Sequence, residues 1–265
     1  ARVLAGGQSL MPMMNFRFVM PDHLVDLNKV GELAGIRLEG DVLRIGAMTR
    51  QRDLEFSSDI ARVFPILTEA LHNVGHRQTR NRGTIGGSLC HLDPSAELVN
   101  MASLHDGVLH VRSRRGSRDL AFTEFAAGYM SHSLAPDELL VGISLAAWSP
   151  RHGHAFVEVA RRHGDFAIAA VGVLVELDPG GAIRQAAVAV SGLGPTPVRP
   201  AALERALLGQ RPTHEVLRAA AAAAGGLEAM SDAYVTAAYR QHLARILTYR
   251  ALEQAVARAM ERAVR

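Results

Sequence analysis

Apolar and polar positions alternate or recur along this chain with two periods, and the balance between them changes near residue 150. Arg2-Val3-Leu4-Ala5 reads as a short strand that runs straight into Gly6-Gly7. Leu10 to Met14 begins either a helical turn or a loop, and 23–27 and 42–46 read as two further strands. Thr49 is the expected N-cap of a short helix through Phe56. Between Asp59 and Val74, the residues Ile60, Val63, Phe64, Leu67, Leu71 and Val74 recur at helical spacing, and Pro65 demands a kink or a late start. Ser95 is expected to cap a helix carrying Leu98, Val99, Ala102 and Leu104. Strand 108–111 turns at Arg115-Gly116, Thr123 opens a short helix ending at Gly128, and 139–145 is a buried strand.

Trp148 to His154, a Gly/Pro/His-containing link expected to be solvated, divides the chain into units of residues 1–150 and 151–265. Three strands follow, 155–160, 168–177 and 183–193, with Asp178-Pro179-Gly180-Gly181 as a hairpin turn between the last two. Pro195 to Pro200 is an extended connector. Helices are then predicted over 201–208, 213–224 and from about Asp232 onward. The last carries Tyr239, Leu243, Ile246, Leu247, Leu252 and Val256 as an apolar stripe suited to packing. The class is α+β, ending in a small antiparallel sheet backed by helices.

The 265 residues suffice for a large buried core, and 48% hydrophobic with 21% charged residues is ordinary for a folded domain. A net charge of +3 with only 5% aromatic residues argues against a nucleic-acid surface, which needs clustered charge and stacking rings. The single cysteine, Cys90, excludes an internal disulfide and an iron–sulfur cluster held wholly by this chain's thiolates. It reads as a small packed residue. No apolar run reaches membrane-spanning length. The chain opens in a strand rather than at a methionine, from which residues upstream of Ala1 are expected.

Candidate chemistry gathers at two glycine pairs. Arg80-Asn81-Arg82-Gly83-Thr84-Ile85-Gly86-Gly87-Ser88 follows Arg77, and Ala5-Gly6-Gly7-Gln8-Ser9-Leu10 repeats the arrangement at the start. Glycine lets successive backbone N–H groups turn toward an anion, and two such turns suit a diphosphate. Neither GxGxxG after a strand nor GxxxxGK[ST] is present, so the two commonest nucleotide loops are not supported. The three arginines can serve a diphosphate, a partner surface or solvent. His91 and Asp93 are metal ligands by type but have no third ligand at useful spacing, so no metal site is assigned. From the residues alone, a flavin-free module holding nucleic acid or another phosphate ligand stays open.

These motifs, with Gly75-His76-Arg77-Gln78, His91-Leu92-Asp93-Pro94-Ser95-Ala96-Glu97-Leu98, Pro136 to Leu140, Arg161-Arg162, Gly164-Asp165-Phe166-Ala167, Gly194 to Arg199 and Ala238-Tyr239-Arg240, resemble the molybdenum-hydroxylase flavoprotein family in order along nearly the whole chain. That family includes the medium subunit of aerobic carbon monoxide dehydrogenase and the FAD domain of xanthine dehydrogenase. The resemblance implies a PCMH-type, two-subdomain FAD-binding domain followed by the C-terminal flavoprotein domain. It implies that Ala5, Gly6, Gly7, Gln8 and Ser9, with Thr84, Ile85, Gly86, Gly87 and Ser88, wrap the FAD pyrophosphate, and that Leu10 and Asn81 also belong to the cofactor site. Asp93 would accept from cofactor hydroxyls, with Glu97 a second candidate; Leu140 would line the ring pocket and Phe166 would lie against the isoalloxazine. Some members carry a lysine shortly before the Arg-Arg pair, whereas Phe156-Val157-Glu158-Val159 has none. The implied partners are a molybdopterin-binding large subunit, a 2Fe-2S small subunit and an acceptor that is a quinone, NAD or oxygen, with no nucleic acid. The implied location is cytoplasmic, or at a membrane through the complex. No catalytic residue is required of this chain, because FAD supplies the redox chemistry. A stand-alone flavin reductase or oxidase of the same fold is the enzyme-class alternative.

Overall fold

The computed structural model describes residues 1–263. In chain order the elements are β1 (Arg2–Leu4), α1 (Leu10–Asn15), β2 (Leu24–Asp26), β3 (Ile36–Glu39), β4 (Val42–Gly46), α2 (Gln51–Glu55), α3 (Ser58–Val63) and α4 (Pro65–Asn73). Then come α5 (Arg77–Arg82), α6 (Ile85–His91), α7 (Glu97–Leu104), β5 (Val108–Ser113), β6 (Gly116–Ala121), α8 (Phe122–Phe125), β7 (Ala126–Gly128), β8 (Ser131–His132) and β9 (Leu139–Ala146). The remainder is β10 (Gly153–Val159), β11 (Ala169–Leu177), β12 (Ile183–Ser191), α9 (Ala201–Leu207), α10 (His214–Ala224) and α11 (Ala237–Ala263). The α+β class expected from the sequence is what the chain forms.

β1 and β2 pair in parallel as a small ribbon at the start of the chain. The larger sheet is antiparallel in the order β3-β4-β9-β5-β6, so the strand nearest residue 150 sits in its centre. Alternation decides its faces: Leu43, Ile45, Leu109, Ile143 and Leu145 are buried in the core that also takes Leu67, Leu71, Leu89 and Leu98 of the helices. Arg44, Arg112 and Asp119 stay on the solvent side. β10, β11 and β12 form a second antiparallel sheet, joined by the expected hairpin at Asp178–Gly181, where Gly181 adopts φ +81°. One face of this sheet (Ala170, Leu174, Ala187, Ala189) joins the core of the first part. The other face (Val171, Val173, Val175, Val188, Val190) packs on Leu243, Leu247, Leu252 and Val256 of α11. The stripe reading of α11 therefore holds for those residues, although Tyr239 is exposed.

Several local expectations are corrected. At Pro65 the late start, one of the two expected outcomes, holds rather than the kink: α3 ends before it and Pro65 takes the first position of α4, where its missing N–H costs nothing. Thr49 does not cap α2: its hydroxyl donates to the Gly35 carbonyl (3.0 Å) and accepts from the Gly35 amide (2.9 Å), and Arg50 takes the cap position. Ser95 does not cap α7 either, because its hydroxyl donates to the carbonyl of Ala167 at 2.8 Å and Ala96 takes the cap. The short helix runs from Phe122 to Phe125 rather than from Thr123 to Gly128, because β7 takes over at Ala126, and the last begins at Ala237 rather than near Asp232. β3 was not read as a strand, nor α5 and α6 as helices.

The link at 148–154 is solvated only at Pro150 and Arg151. His152 and His154 are buried, because α11 crosses β10 so closely that a side chain at Gly153 would collide with the Ala255 carbonyl and lie 2.6 Å from Ala259 N. Arg258 and Arg262 donate to the carbonyls of His154 and His152, each at 2.7 Å. His154 Nε2 lies 3.4 Å from Glu69 Oε1 on α4, so the link is pinned from both sides.

Candidate functional site

After β1 the chain bends through Ala5, Gly6 and Gly7 and enters α1 at Leu10. Gly7 takes φ +74°, which a side chain would oppose. Gly6 is buried, and a Cβ there would collide with the Arg82 carbonyl oxygen and stand 2.8 Å from Gly83 Cα. The first glycine turn is thus seated directly on the chain leading to the second. Among the described residues, the backbone N–H groups of Gly6, Gly7, Gln8, Ser9 and Leu10 have no acceptor within the protein. The Ser9 hydroxyl makes no capping bond, and the Gln8 side chain folds back to the Gly6 carbonyl at 3.1 Å. Five consecutive unpaired donors, on the buried Gly6, the exposed Gln8 and the half-buried Gly7, Ser9 and Leu10, can turn to an anion such as a diphosphate.

The second segment differs from the expected turn. Gly86 and Gly87 lie in the first turn of α6, with Thr84 as N-cap accepting from Gly87 N at 3.0 Å. Ile85 N donates to Thr49 O (3.2 Å), Gly86 N to Ala47 O (2.8 Å) and Ser88 N to Thr84 O (3.1 Å). The amides of this segment are therefore spent within the protein, and what remains toward a ligand is side-chain polarity, from Asn81 and Ser88. The glycines serve close packing: a Cβ on Gly86 would fall 2.6 Å from Ala47 Cβ, and one on Gly87 2.8 Å from Thr84 Oγ1 and 3.6 Å from Ala5 Cβ. Ala5 thus borders Gly87 as Gly6 borders Gly83, and the two glycine pairs are brought together.

A strut missed by sequence reasoning holds them. Asn28 Nδ2 donates to the Ala5 carbonyl at 2.9 Å, Arg50 Nη2 donates to Asn28 Oδ1 at 2.6 Å, and Arg50 Nη1 donates to the Arg82 carbonyl. Burial lowers the Arg50 guanidinium below its usual value, and the nearby charge of Arg82 adds to the effect. Asp26-Leu27-Asn28 at a strand end was the available signal for Asn28; nothing local marks Arg50. The arginines of the motif divide in role. Arg80 is bound bidentately by Glu55 (2.8 and 3.0 Å) and donates to Val74 O, so it anchors α5 on α2, while Arg77 and Arg82 are exposed.

At the far end of α6, about 10 Å away at 1.5 Å per residue, Leu92 takes φ +50° and Asp93 Oδ1 accepts from Ser95 N at 2.8 Å. The Ser95–Ala167 bond ties this turn to the loop between β10 and β11, where Phe166 stands 73% exposed. A Cβ on Gly164 would meet the His76 ring, so the same loop also closes on the entrance to α5. Leu140 sits on β9, against which α6 packs, and is buried in the core. Burial pushes the Cys90 thiol up to about 12, which leaves it inert and supports its packing role. Burial lowers His91, against the pull of Asp93. Two buried carboxyls lie here: Glu97 at the start of α7, which accepts from its own backbone N–H, and Glu158 near the end of β10, whose Oε2 has no hydrogen-bonding partner among the described residues. Burial raises them to about 8 and about 7.

Residues 1–148 match the FAD binding domain in molybdopterin dehydrogenase, and residues 154–255 match the CO dehydrogenase flavoprotein C-terminal domain. The 6-hydroxypseudooxynicotine dehydrogenase complex subunit alpha of Paenarthrobacter nicotinovorans is 38% identical, over 98% of this chain and 88% of that protein. The carbon monoxide dehydrogenase medium chain of Hydrogenophaga pseudoflava is 35% identical over 97% of this chain and 90% of its own length. A solved structure of carbon monoxide dehydrogenase from Hydrogenophaga pseudoflava, lacking the Mo-pyranopterin moiety of the molybdenum cofactor, superimposes with a TM-score of 0.93 at 36% identity, covering 97% of this chain and 89% of that one. The chain belongs to the FAD-binding family of the molybdopterin dehydrogenases, as its motifs implied, and its relatives are subunits of oxidoreductase complexes. Among the described residues, no helix is long and apolar enough to cross a membrane.

Proposed function

We propose that this chain holds FAD across α6 and relays electrons within a heteromeric molybdenum hydroxylase, from a 2Fe-2S subunit to an external acceptor. The run of five unpaired amides from Gly6 to Leu10, beside two adjacent glycines, carries the reading, because it offers a diphosphate a set of free backbone donors. Ala5, Gly6, Gly7, Gln8, Ser9 and Leu10 supply that cradle. Thr84, Ile85, Gly86 and Gly87 form its rigid back wall, and Asn81 and Ser88 offer side-chain contacts beside it. Asp93 holds cofactor hydroxyls one helix length away, Leu140 stiffens the wall behind α6, and the exposed Phe166 ring offers a flat apolar face to the isoalloxazine.

When bound, FAD would supply a carrier that takes electrons one at a time, as a 2Fe-2S cluster delivers them, and passes them on singly or in pairs. The chain's own part is to fix the cofactor's two ends and keep its ring edge accessible. The domain division at 148–154 fits this labour: the first unit supplies the cradle, the second supplies the Phe166 loop. A molybdopterin-binding large subunit is the substrate-oxidising partner in this reading. The test is to purify the chain, reconstitute it with FAD and titrate by flavin fluorescence, then capture native partners and assay molybdenum and iron. Stoichiometric FAD and co-purifying metal are expected; a chain that fails to bind FAD refutes the proposal.

A further inference from the structure

The loop that carries Phe166 spans residues 160–168, between β10 and β11, and Ile168 N closes its neck by donating to Val159 O at 2.7 Å. A loop fixed only at its neck would swing, whereas a ring that lies against the isoalloxazine has to be held in place before the cofactor arrives. The hold comes from the far end of the chain. Arg240, in the first turn of α11 and with its side chain only 12% exposed, donates from Nη1 to Ile168 O at 2.6 Å and to Gly192 O at 2.5 Å. Its Nη2 donates to Asp232 Oδ2. One guanidinium thus grips the last residue of the Phe166 loop and the residue that follows β12.

Gly192 completes the grip. It takes φ +83°, and a Cβ there would stand 2.7 Å from Ile168 O, so a glycine is what lets the end of β12 lie against the loop. Its own N–H donates at 2.9 Å to the carbonyl of Pro94, between Asp93 and Ser95, and Ser95 is bonded in turn to Ala167. The turn assigned to the cofactor's hydroxyls and the loop assigned to its ring therefore meet at the two carbonyls that Arg240 holds. The other end of the loop is reached through Asp232, whose Oδ1 accepts from Tyr234 N and Val235 N at 2.8 Å each. That bend sets the Tyr234 ring against Arg161, with the guanidinium carbon 5.1 Å from the ring centroid. Packing of α11 does not call on Arg240, because the helix rests on the sheet through Leu243, Leu247, Leu252 and Val256, further along.

We propose that Arg240 is a positioning residue for the flavin, acting through the Phe166 loop rather than as a catalytic group. The inference rests on the FAD reading above, with Phe166 as the residue that faces the isoalloxazine. With Arg240 in place the loop is pinned at Ile168 directly, and at Arg161 by way of Asp232 and Tyr234. Without it two carbonyls and a carboxylate lose a shared donor, the loop turns about its neck, and FAD has to order the ring as it binds.

The experiment is a double-mutant cycle on the whole chain: wild type, Arg240→Met, Phe166→Ala and the two combined. Each is measured for FAD dissociation constant, for the visible absorption bands of the bound flavin and for thermal unfolding. Arg240→Met is expected to weaken FAD by up to about tenfold, the ordering cost of a mobile ring, and to shift the flavin bands in the same direction as Phe166→Ala. In the combined variant the Arg240 change is expected to add less than about twofold, because the ring it positions is gone. Effects on affinity that multiply in full, or unaltered affinity and bands in a folded Arg240→Met protein, overturn the inference alone. If Arg240→Met does not fold, Asp232→Asn, on an exposed turn, removes the ionic half of the grip and carries the same expected directions and the same refutation. A wild type that binds no FAD overturns the functional reading, and this inference with it. Wild-type affinity and bands in Phe166→Ala overturn the placement of that ring, on which the inference rests.

Discussion

Gly6→Ala puts the proposed cradle under the most direct stress. The added methyl would meet backbone rather than side chain: the Arg82 carbonyl oxygen in collision, Gly83 Cα at 2.8 Å and Arg82 C at 2.9 Å. That wall cannot retreat cheaply. Gly83 N is bonded to Thr79 O (2.7 Å), Gly83 O accepts from Gln51 N (2.9 Å), and Arg50 holds the Arg82 carbonyl. The turn at 5–9 must therefore move instead, by the order of an ångström, and it carries the unpaired amides with it. Losing two charge-assisted hydrogen bonds costs about 3–6 kcal/mol, or roughly 10²- to 10⁴-fold in FAD dissociation constant. The assay is fluorescence titration of apo-protein with FAD, with circular dichroism and thermal unfolding as checks on the fold. Gly31→Ala is the control, because nothing lies within 4 Å of a Cβ there. Wild-type affinity in a folded Gly6→Ala protein would refute the placement of the pyrophosphate.

Three further outcomes follow from the geometry. Arg50→Met removes the strut between Asn28 and Arg82, and is expected to weaken FAD by about tenfold or more while Lys fails to restore it, since a point charge cannot span both acceptors; equal affinities for wild type and Met variant would count against the strut. The Arg80 hydrogen bonds hold Glu55 below the usual carboxylate range, so the pair's stabilisation is present above about pH 4.5 and lost as pH falls through the lower folded-state value. Arg80→Met should therefore cost about 3 kcal/mol at pH 7, with the gap from wild type shrinking in acid; urea unfolding at both pH values checks it, and a constant gap contradicts it. Gly153→Val forces side-chain atoms into α11 at Ala255 and Ala259, and overpacking of about 1–3 kcal/mol should lower the unfolding midpoint; an unchanged midpoint would show that the crossing is looser than drawn.

The sequence disclosed the architecture where period and punctuation agree, as in β10 to β12, whose alternation, hairpin turn and following helices all read directly. The first strand and the glycine turn that follows it were equally legible, because a strand running into two glycines leaves few alternatives. The stretch at 77–91 was not, for a physical reason: glycines that admit close packing inside a helix look, letter by letter, like glycines that make a turn. Only the contacts of Gly86 with Ala47 and the cap at Thr84 separate the two roles. Thr49 and Ser95 were misjudged likewise, because a hydroxyl before a helix caps it only when no better acceptor lies across the fold, and Gly35 and Ala167 supply one. His152 and His154 looked like linker residues because nothing in their neighbourhood announces that α11, a hundred residues later, will cover them. The Asn28–Arg50 strut joins positions 22 residues apart and leaves no local pattern at all.

Hydrogen–deuterium exchange with and without FAD tests the central claim most directly. The amides from Gly6 to Leu10, unpaired within the protein, should exchange fast without the cofactor and slow by at least about tenfold when it binds. Those from Ile85 to Ser88, already bonded internally, should be slow in both states. Protection that appears at 85–88 while 6–10 stays fast would contradict the account and move the pyrophosphate to the other end of the joint.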